Sequence, residues 1–368
     1  MANDSTRLIR MNILFIAHRY LPYLGGVEYV VKSIAERLAE MGCNVSILCG
    51  DPSVNGPNEE LIKGVRVVRW PVLAPKESYY FPAIRHRLER WLLDAGKNND
   101  VIHVHSVHSM LSLYSLTKLK NCKAIKVITP HYHGTGHTLF RKILWSVWKH
   151  NVRKALRWVD VVHTVSQTEA QLVSKDFGLT SVTIEHGVDE WLSNLSWNPS
   201  NYVFYSGRIE KYKNIHRLAN IVRILRILGS NFELKIFGDG PFKSKLINHL
   251  NRLKINYDLK PPQPYIEYIN TLSKAVLFGL LSQKEAYGQT VNEANAIGVP
   301  VVVVEPWGLT FSKRHRTLVT QLCKSDISIS KEIVVFLNEA KKQPRSKIPS
   351  WRQVVGDYVK LLYENNKK

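Results

Sequence analysis

The sequence predicts two doubly wound α/β domains facing a cleft, and three observations carry that expectation. Short apolar, strand-like runs alternate with helical stretches from Asn12 to Glu185, and the alternation restarts from Tyr202 to Val304. The length of 368 residues suits two cores of roughly 100–200 residues better than one. A polar, Pro-bearing stretch, Asn194–Ser200 (NLSWNPS), separates the arrays and reads as the linker. The expected domains are therefore 1–193 and 201–345, with 346–368 a terminal helix crossing back to the first domain.

The elements follow in order. Asn12–Ala17 (NILFIA) is a β-type run, and Gly26–Met41 places Val27, Val30, Val31, Ile34, Leu38 and Met41 at helical spacing before Gly42 closes the helix. Asn44–Leu48 is the next strand, which completes a right-handed βαβ unit. Val65–Arg69, Val101–Val104, Ile125–Thr129, Asp160–Val165 and Ser181–Glu185 continue the strands of the first half. In the second half, strands at Tyr202–Ser206, Glu233–Phe237, Ala275–Leu281 and Val299–Val304 alternate with helices at His216–Leu228, Lys243–Leu253 and Thr290–Ile297. The last helix, Ser350–Tyr363, lines up Trp351, Val354, Val355, Tyr358, Leu361 and Leu362, so it needs an apolar partner surface.

Composition narrows the class. With 45% hydrophobic and 22% charged residues the chain is neither disordered nor collagen-like. No run approaches the roughly 20 apolar residues of a membrane-spanning helix. The first residues carry charge without the apolar core of a secretory signal, and Met11 offers an alternative start. A cytoplasmic protein is expected. Cys43, Cys49, Cys122 and Cys323 have no CxxC spacing and read as buried thiols in a reducing compartment. The net charge is +21. Up to residue 190 there are 24 Lys and Arg against 17 Asp and Glu, and beyond it 27 against 13, so both halves are basic. Such a charge suits nucleic acid, an anionic membrane surface or phosphorylated substrates.

Four segments lie where an open α/β sheet puts its chemistry, beyond the carboxyl ends of strands. Leu24-Gly25-Gly26 opens a helix whose free N–H groups suit an anion, although a tight turn without a ligand explains it equally well. At Ser206-Gly207-Arg208-Ile209, Arg208 and the nearby Lys213 suit convergence on a diphosphate. In Lys284–Ala294, Gly288 turns the chain into a helix. Amides near Gln289, Thr290 and Val291 are offered to phosphate oxygens there, and Glu285 and Glu293 to hydroxyls. Phosphate together with sugar hydroxyls means a sugar nucleotide. Finally, Thr129–His137 holds His131, His133 and His137 among glycines, a spacing that fits no zinc site and suits a hydrogen bond to a sugar.

Together these segments resemble the GT-B glycosyltransferases, and among them the large retaining family 4, over essentially the whole chain. The resemblance rests on NILFIAHRYLPYLGGVEYVV, TPHYHG, VSQTEAQL, IEHGVD, SGRIEKYKN, IFGDGP and EAYGQTVNEANAIGVPVV, the last carrying the Glu-x7-Glu spacing. It implies that 1–193 is the acceptor-side Rossmann-like domain and 201–345 the one binding the nucleotide sugar. Arg208 and Lys213 would then hold the donor diphosphate, Glu293 the ribose, and Glu285 the donor sugar near its anomeric carbon. Gly26 would pass close to the phosphates and His131 would hydrogen-bond the transferred sugar. There are two departures. Ala286 replaces the usual glycine after the first Glu, and Glu305-Pro306-Trp307-Gly308 replaces the Gly-Gly-x-x-Glu segment.

The implied reaction is hexosyl transfer with retention, by same-face attack. No Asp-x-Asp pair occurs, and Arg208, Lys213 and a helix N-terminus can stabilise the leaving diphosphate, so no cofactor and no essential metal is expected. Thr138–Trp158 carries six basic residues (Arg141, Lys142, Lys149, Arg153, Lys154, Arg157) and no acidic one, with an apolar stripe and Trp145, Trp148 and Trp158 beside it. Two readings stand. Either the helix lies on an anionic membrane through Arg141, Lys142, Trp145, Lys149 and Arg153, or it packs on its own domain. The first makes the acceptor a lipid or lipid-linked sugar and the protein peripheral on the cytoplasmic membrane face. A sugar-nucleotide 2-epimerase is the alternative enzyme, separable because it turns over without acceptor. A basic nucleic-acid-binding protein is the alternative class, although no helix-turn-helix, RNP or zinc-finger pattern occurs.

Overall fold

A computed structural model of the chain describes residues 11–23, 25–75, 79–134 and 139–366. The N-terminal arm, Leu24 and the segment from Thr135 to Thr138, which includes His137, lie outside the described residues, as do the side chains at 139–143, among them Arg141 and Lys142. The chain forms two compact units. One runs to His186 and includes Trp351 onward; the other is Gly187–Ser350.

The first unit is built on nine strands among the described residues: β1 (Asn12–Ala17), β2 (Asn44–Asp51), β3 (Asn58–Ile62), β4 (Val65–Leu73), β5 (Phe81–Pro82), β6 (Val101–His105), β7 (Ile125–Thr129), β8 (Val161–Thr164) and β9 (Val182–Thr183). The sheet order is β3-β4-β2-β1-β6-β7-β8-β9. It is parallel except where β3 and β5 pair antiparallel with β4 at the edge. Strand β1 shows why the sheet is covered on both faces. Ile13, Phe15 and Ala17 enter one apolar cluster, while the alternate Leu14 and Ile16 enter the other.

Among the described residues six helices flank this sheet: α1 (Gly26–Glu40), α2 (Arg85–Asn98), α3 (Met110–Lys118), α4 (Leu139–Leu156), α5 (Gln167–Phe177) and, from the chain's end, α11 (Trp351–Asn366). The aligned Trp351, Val354, Val355, Tyr358, Leu361 and Leu362 of α11 are buried with Val30, Ile34 and Leu38 of α1. The apolar stripe legible in the sequence is thus satisfied within this unit.

The second unit has six parallel strands among the described residues, β10 (Tyr202–Ser206), β11 (Glu233–Phe237), β12 (Tyr257–Lys260), β13 (Leu277–Leu280), β14 (Val301–Val304) and β15 (Thr317–Thr320). Their order, β12-β11-β10-β13-β14-β15, is the doubly wound Rossmann arrangement. Five helices accompany them: α6 (Ile215–Ile227), α7 (Lys243–Leu253), α8 (Tyr265–Ser273), α9 (Gln289–Ile297) and α10 (Asp326–Ala340). In both units the order reverses beside the first strand, between β1 and β6 and between β10 and β13. These are the crevices where ligands of such sheets bind.

Several expectations need correction. The stretch 194–200 is not a free linker: Trp197 Nε1 donates to Ala275 O at 2.8 Å and Ser200 N to Lys274 O at 2.8 Å, which ties it to the second unit. The units divide after His186 instead. The thiols also differ, since Cys49 is buried, Cys43 and Cys122 are half-buried and Cys323 is exposed. Elements β3, β12, β15, α8 and α10 had no counterpart in the sequence reading. The three strands are short, and two of them, β3 (NEELI) and β12 (YDLK), carry charges that hide their period. No helix among the described residues is long and apolar enough to cross a membrane.

Candidate active site

At the β10/β13 crevice the second unit brings two of the expected residues into contact. Chain leaving β10 turns at Gly207 and reaches Lys213; chain leaving β13 reaches Glu285. Asn214 Nδ2 donates to Leu281 O at 2.9 Å and Gln283 N to Tyr212 O at 2.9 Å, so the two loops are stitched together. Lys213 Nζ then lies 2.5 Å from Glu285 Oε1, with both side chains mostly buried. Burial acts to lower the Lys213 pKa, but the Glu285 carboxylate, with Tyr212 and Tyr205, holds it above the usual lysine value. Arg208 stands apart: its guanidinium is 57% exposed and pairs with Glu210 at 3.1 Å. A buried ammonium and an exposed guanidinium fork thus flank one crevice. The neighbouring Gly238 is obligatory, because a Cβ there would lie 2.0 Å from Gly207 O.

The Glu285–Glu293 loop is shaped from the other side by the segment that departs from the family pattern. Gly288 adopts φ 110°, and a Cβ on it would meet Trp307 Cζ3 at 3.0 Å. Trp307 is itself fixed by donating its Nε1–H to Ser282 O at 2.7 Å. Arg314 binds Tyr287 Oη at 3.1 Å and also Asn292 Oδ1, clamping the loop to the start of α9. Of the three amides expected to serve an anion, Val291 N donates to Gly288 O at 2.9 Å. Those of Gln289 and Thr290 remain for a ligand, at the positive end of α9. The Gln289 side chain donates to Gly187 O at 2.9 Å.

Glu293, on the second turn of α9, is buried. Its Oε2 accepts from Tyr268 Oη at 2.7 Å and its Oε1 from Tyr265 Oη at 3.1 Å. Burial pushes its carboxyl up to about 7, opposed by those two hydroxyls and by a hydrogen bond from the Gln289 side chain. Neither tyrosine figured in the sequence reading. The available signal was their i, i+3 spacing after Pro261-Pro262-Gln263-Pro264, which puts both on one face of α8.

In the first unit, His131 follows β7 in a left-handed conformation, φ 48°. Its neighbour Tyr132 holds it there: Glu169 Oε1 accepts from Tyr132 N at 2.6 Å, and Tyr132 Oη donates to Asp176 Oδ2 at 2.5 Å. His131 Nε2 faces His105 Nδ1 at 3.0 Å, which leaves Nδ1 as the ring nitrogen for a ligand. Burial first, then the proximity of His163, lowers His131 to about 3, so the ring is neutral. Directly beside it, Tyr358 on α11, His103, Thr129 and His163 form a chain with contacts of 2.7, 2.7 and 2.8 Å. It ends with His163 Nε2 at 3.1 Å from Ile184 O. A carbonyl can only accept, so His163 carries its proton on Nε2. Thr129 must then donate to His163 Nδ1, His103 Nε2 to Thr129, and Tyr358 to His103 Nδ1. One terminal acceptor orients the whole chain.

At the opening of α1, the two glycines differ in the room around them. A Cβ on Gly25 would sit 2.4 Å from Glu28 Oε2, whereas one on Gly26 would meet nothing within 4 Å. Glu28, absent from the sequence reading, is buried and binds Arg19 at 2.6 Å and His18 at 3.1 Å. Burial opposes its ionisation, but these partners hold it at about 2.

Helix α4 corrects the expected membrane face. Trp145 is buried with Val152 and Leu156 in the core of its own unit. Lys149 pairs with Asp176 at 2.5 Å, and Arg153 donates to Asp176 O at 2.8 and 3.0 Å. Lys149 and Arg153 therefore fasten α4 to α5, while Trp145 packs on Tyr132 and His108. Leu144 and Val147, 40% and 70% exposed, lie on the outer side with Lys154 and Arg157. Among the described residues no cluster of three or more His, Cys, Asp or Glu is arranged to hold a metal.

Residues 24–191 match the family model described as Glycosyltransferase Family 4, and residues 189–311 match that of glycosyl transferases group 1. No curated protein matches the sequence. Among solved structures, a sucrose-phosphate synthase from Thermosynechococcus elongatus is similar at TM-score 0.70 and 17% identity, over 97% of each chain. The catalytic domain of starch synthase IV from Arabidopsis thaliana, bound to ADP and acarbose, gives 0.69 and 16%, over 97% of this chain and 100% of that one. WaaG, a glycosyltransferase involved in lipopolysaccharide biosynthesis, gives 0.65 and 14%, over 96% and 97%. At these identities the likenesses establish the GT-B fold.

Proposed function

Since the chain belongs to family 4 of the GT-B glycosyltransferases and is a hexosyltransferase-type enzyme, we propose that it transfers a sugar from a nucleotide-sugar donor to an acceptor hydroxyl with retention of anomeric configuration. The observation that carries this reading is the buried Lys213–Glu285 pair beside the N-terminus of α9. Lys213, the exposed Arg208 and the amides of Gln289 and Thr290 take up the charge that grows on the departing diphosphate. Glu293 accepts from the ribose, Glu285 from the donor sugar, and His131 Nδ1 bonds the sugar being transferred. The bond from anomeric carbon to phosphate oxygen breaks as the acceptor oxygen bonds the same face, and the acceptor's proton passes to the leaving diphosphate. Two cations and a helix N-terminus supply the positive charge, so turnover should survive EDTA. Full loss on chelation, restored by magnesium or manganese, would overturn that part.

The similar starch synthase domain holds ADP, which supports a nucleoside diphosphate in this crevice. The likeness to WaaG and the exposed Leu144 and Val147 beside Lys154 and Arg157 support an acceptor presented at an anionic membrane. Incubation with a panel of sugar nucleotides, with and without acceptor sugars, tests the reaction, and NMR of the product's anomeric proton tests retention. Turnover without any acceptor would assign an epimerase instead. Co-sedimentation with vesicles containing phosphatidylglycerol tests the surface. Leu144→Ser with Val147→Ser should release the protein, and equal sedimentation of variant and wild type would end the membrane reading.

A further inference from the structure

Glu293 is the most buried of the groups assigned to the donor, and its carboxylate is already engaged. Tyr265 and Tyr268 lie one turn apart on α8, which begins at Tyr265 with Pro264 as its N-cap. Tyr268 is buried, its hydroxyl 2.7 Å from Glu293 Oε2. Tyr265 is half-buried, and its longer bond of 3.1 Å goes to the other oxygen, Oε1. Its ring stands edge-on to Trp191, centroids 6.1 Å apart, and 6.0 Å from the Tyr268 ring. The two hydroxyls therefore differ in kind. One is locked in the interior; the other reaches the same carboxylate from the wet side.

We propose that Tyr268 is the positioning residue that keeps Glu293 aimed at the nucleotide ribose, and that the Tyr265 hydroxyl holds the place on Oε1 which a ribose hydroxyl takes when the donor binds. This rests on the assignment of Glu293 to the ribose. An ionised carboxylate accepts through two oxygens and about four lone-pair directions. Tyr268 donates to the inner oxygen from the interior and fixes that end of the carboxylate. The outer oxygen must be capped while the crevice holds only water, because a buried acceptor left unmade is costly. A tyrosine hydroxyl there is a stand-in for the ligand's own. Binding then exchanges one donor for another, and the discrimination lies in the exchange. A nucleotide lacking the ribose hydroxyls would have to leave Tyr265 in place or strand Oε1.

The test measures dissociation constants by calorimetry for UDP and ADP, each against its 2′,3′-dideoxy counterpart, using the tighter of the two bases. Wild type should prefer the ribose form by about tenfold or more. In Tyr268→Phe the preference should collapse to within about twofold, with the loss confined to the ribose form. Tyr265→Phe should tighten the ribose form several-fold, since no competing hydroxyl has to leave, and so widen the preference. Melting curves on both variants establish that they fold; if Tyr268→Phe does not, Tyr265→Phe alone decides. Weaker ribose binding in Tyr265→Phe, or an unchanged preference in a folded Tyr268→Phe, would overturn the proposal. Glu293→Gln separates the two layers. If it also leaves the preference intact, the ribose assignment itself fails. If it abolishes the preference while both tyrosine variants keep it, only the tyrosine roles fail.

Discussion

The two crevices bury polar side chains by opposite means. Beyond β10 and β13, Lys213 and Glu285 keep their charges by pairing at 2.5 Å. In the first unit four buried histidines, two on β6, one just beyond β7 and one on β8, are kept neutral. Burial, with mutual repulsion for His103, His105 and His131, pulls those three and His163 below the ordinary histidine value, His163 to about 4. Their hydrogen bonds go to Thr129, Tyr358, a carbonyl and one another, never to a carboxylate. A site built for a leaving diphosphate needs permanent charge. A site that offers a sugar a directed hydrogen bond needs a defined tautomer, which a charged ring does not have. The comparison separates electrostatic stabilisation from orientation.

The largest expected effect comes from breaking the charged site. Lys213→Ala removes the cation proposed to meet the diphosphate and strands Glu285, and should lower kcat/KM by roughly 10²–10³-fold, about 3–4 kcal/mol. Arg208→Ala, which removes an exposed side chain, should cost less activity and leave the melting temperature unmoved. Wild-type kinetics in Lys213→Ala would dissolve the contrast.

Breaking the neutral site should act on stability. Thr129→Val keeps the shape but orphans His103 Nε2 and His163 Nδ1 together, and should cost more than Tyr358→Phe, which orphans His103 Nδ1 alone at about 1–3 kcal/mol. Urea titrations of both variants check the ranking. Equal midpoints for variants and wild type would mean that the chain is ornamental.

The smallest and sharpest test is the sign of the pH dependence. His163 titrates near 6.5 unfolded and about 4 folded, so its contribution is present above pH 6.5 and is lost as pH falls toward 4. Glu293 runs the other way. Its carboxyl, 4.5 unfolded and about 7 folded, favours the folded state at low pH and loses that contribution as pH rises from 4.5 through 7. Denaturation midpoints between pH 4 and 7.5 should therefore lose part of their acid-side slope in His163→Gln, since His103, His105 and His131 keep theirs, and in Glu293→Gln part of the opposing slope, which the buried Glu169 shares. The same slope change in both variants would contradict the assignment.

Much of the molecule was legible in its letters. Strands buried on both faces, such as NILFIA and VVVV, announce themselves by continuous apolar runs, and α1 and α11 by helical periodicity. Gly288, ahead of Gln289–Val291, marked the turn into α9. Helix α4 was ambiguous for a physical reason. The sequence offers an apolar stripe through Phe140, Ile143, Leu144, Val147 and Leu156 with Trp145 beside it but does not say what covers it, and a bilayer and a protein core satisfy such a face equally.

By itself, then, the sequence determined the alternation of elements, the doubly wound class and the residue types offered at each strand end, because all of these are encoded in local spacing. Tertiary structure decided the partners. The strand orders set β10 beside β13 and β1 beside β6. Lys213 thereby meets Glu285 across 72 residues and Tyr358 meets His103 across 255. The same packing gives Glu293 its two tyrosines and hides Trp145. A side chain's charge state, tautomer and availability to a ligand depend on burial and on which dipoles surround it, and those neighbours come from distant chain that no local pattern specifies.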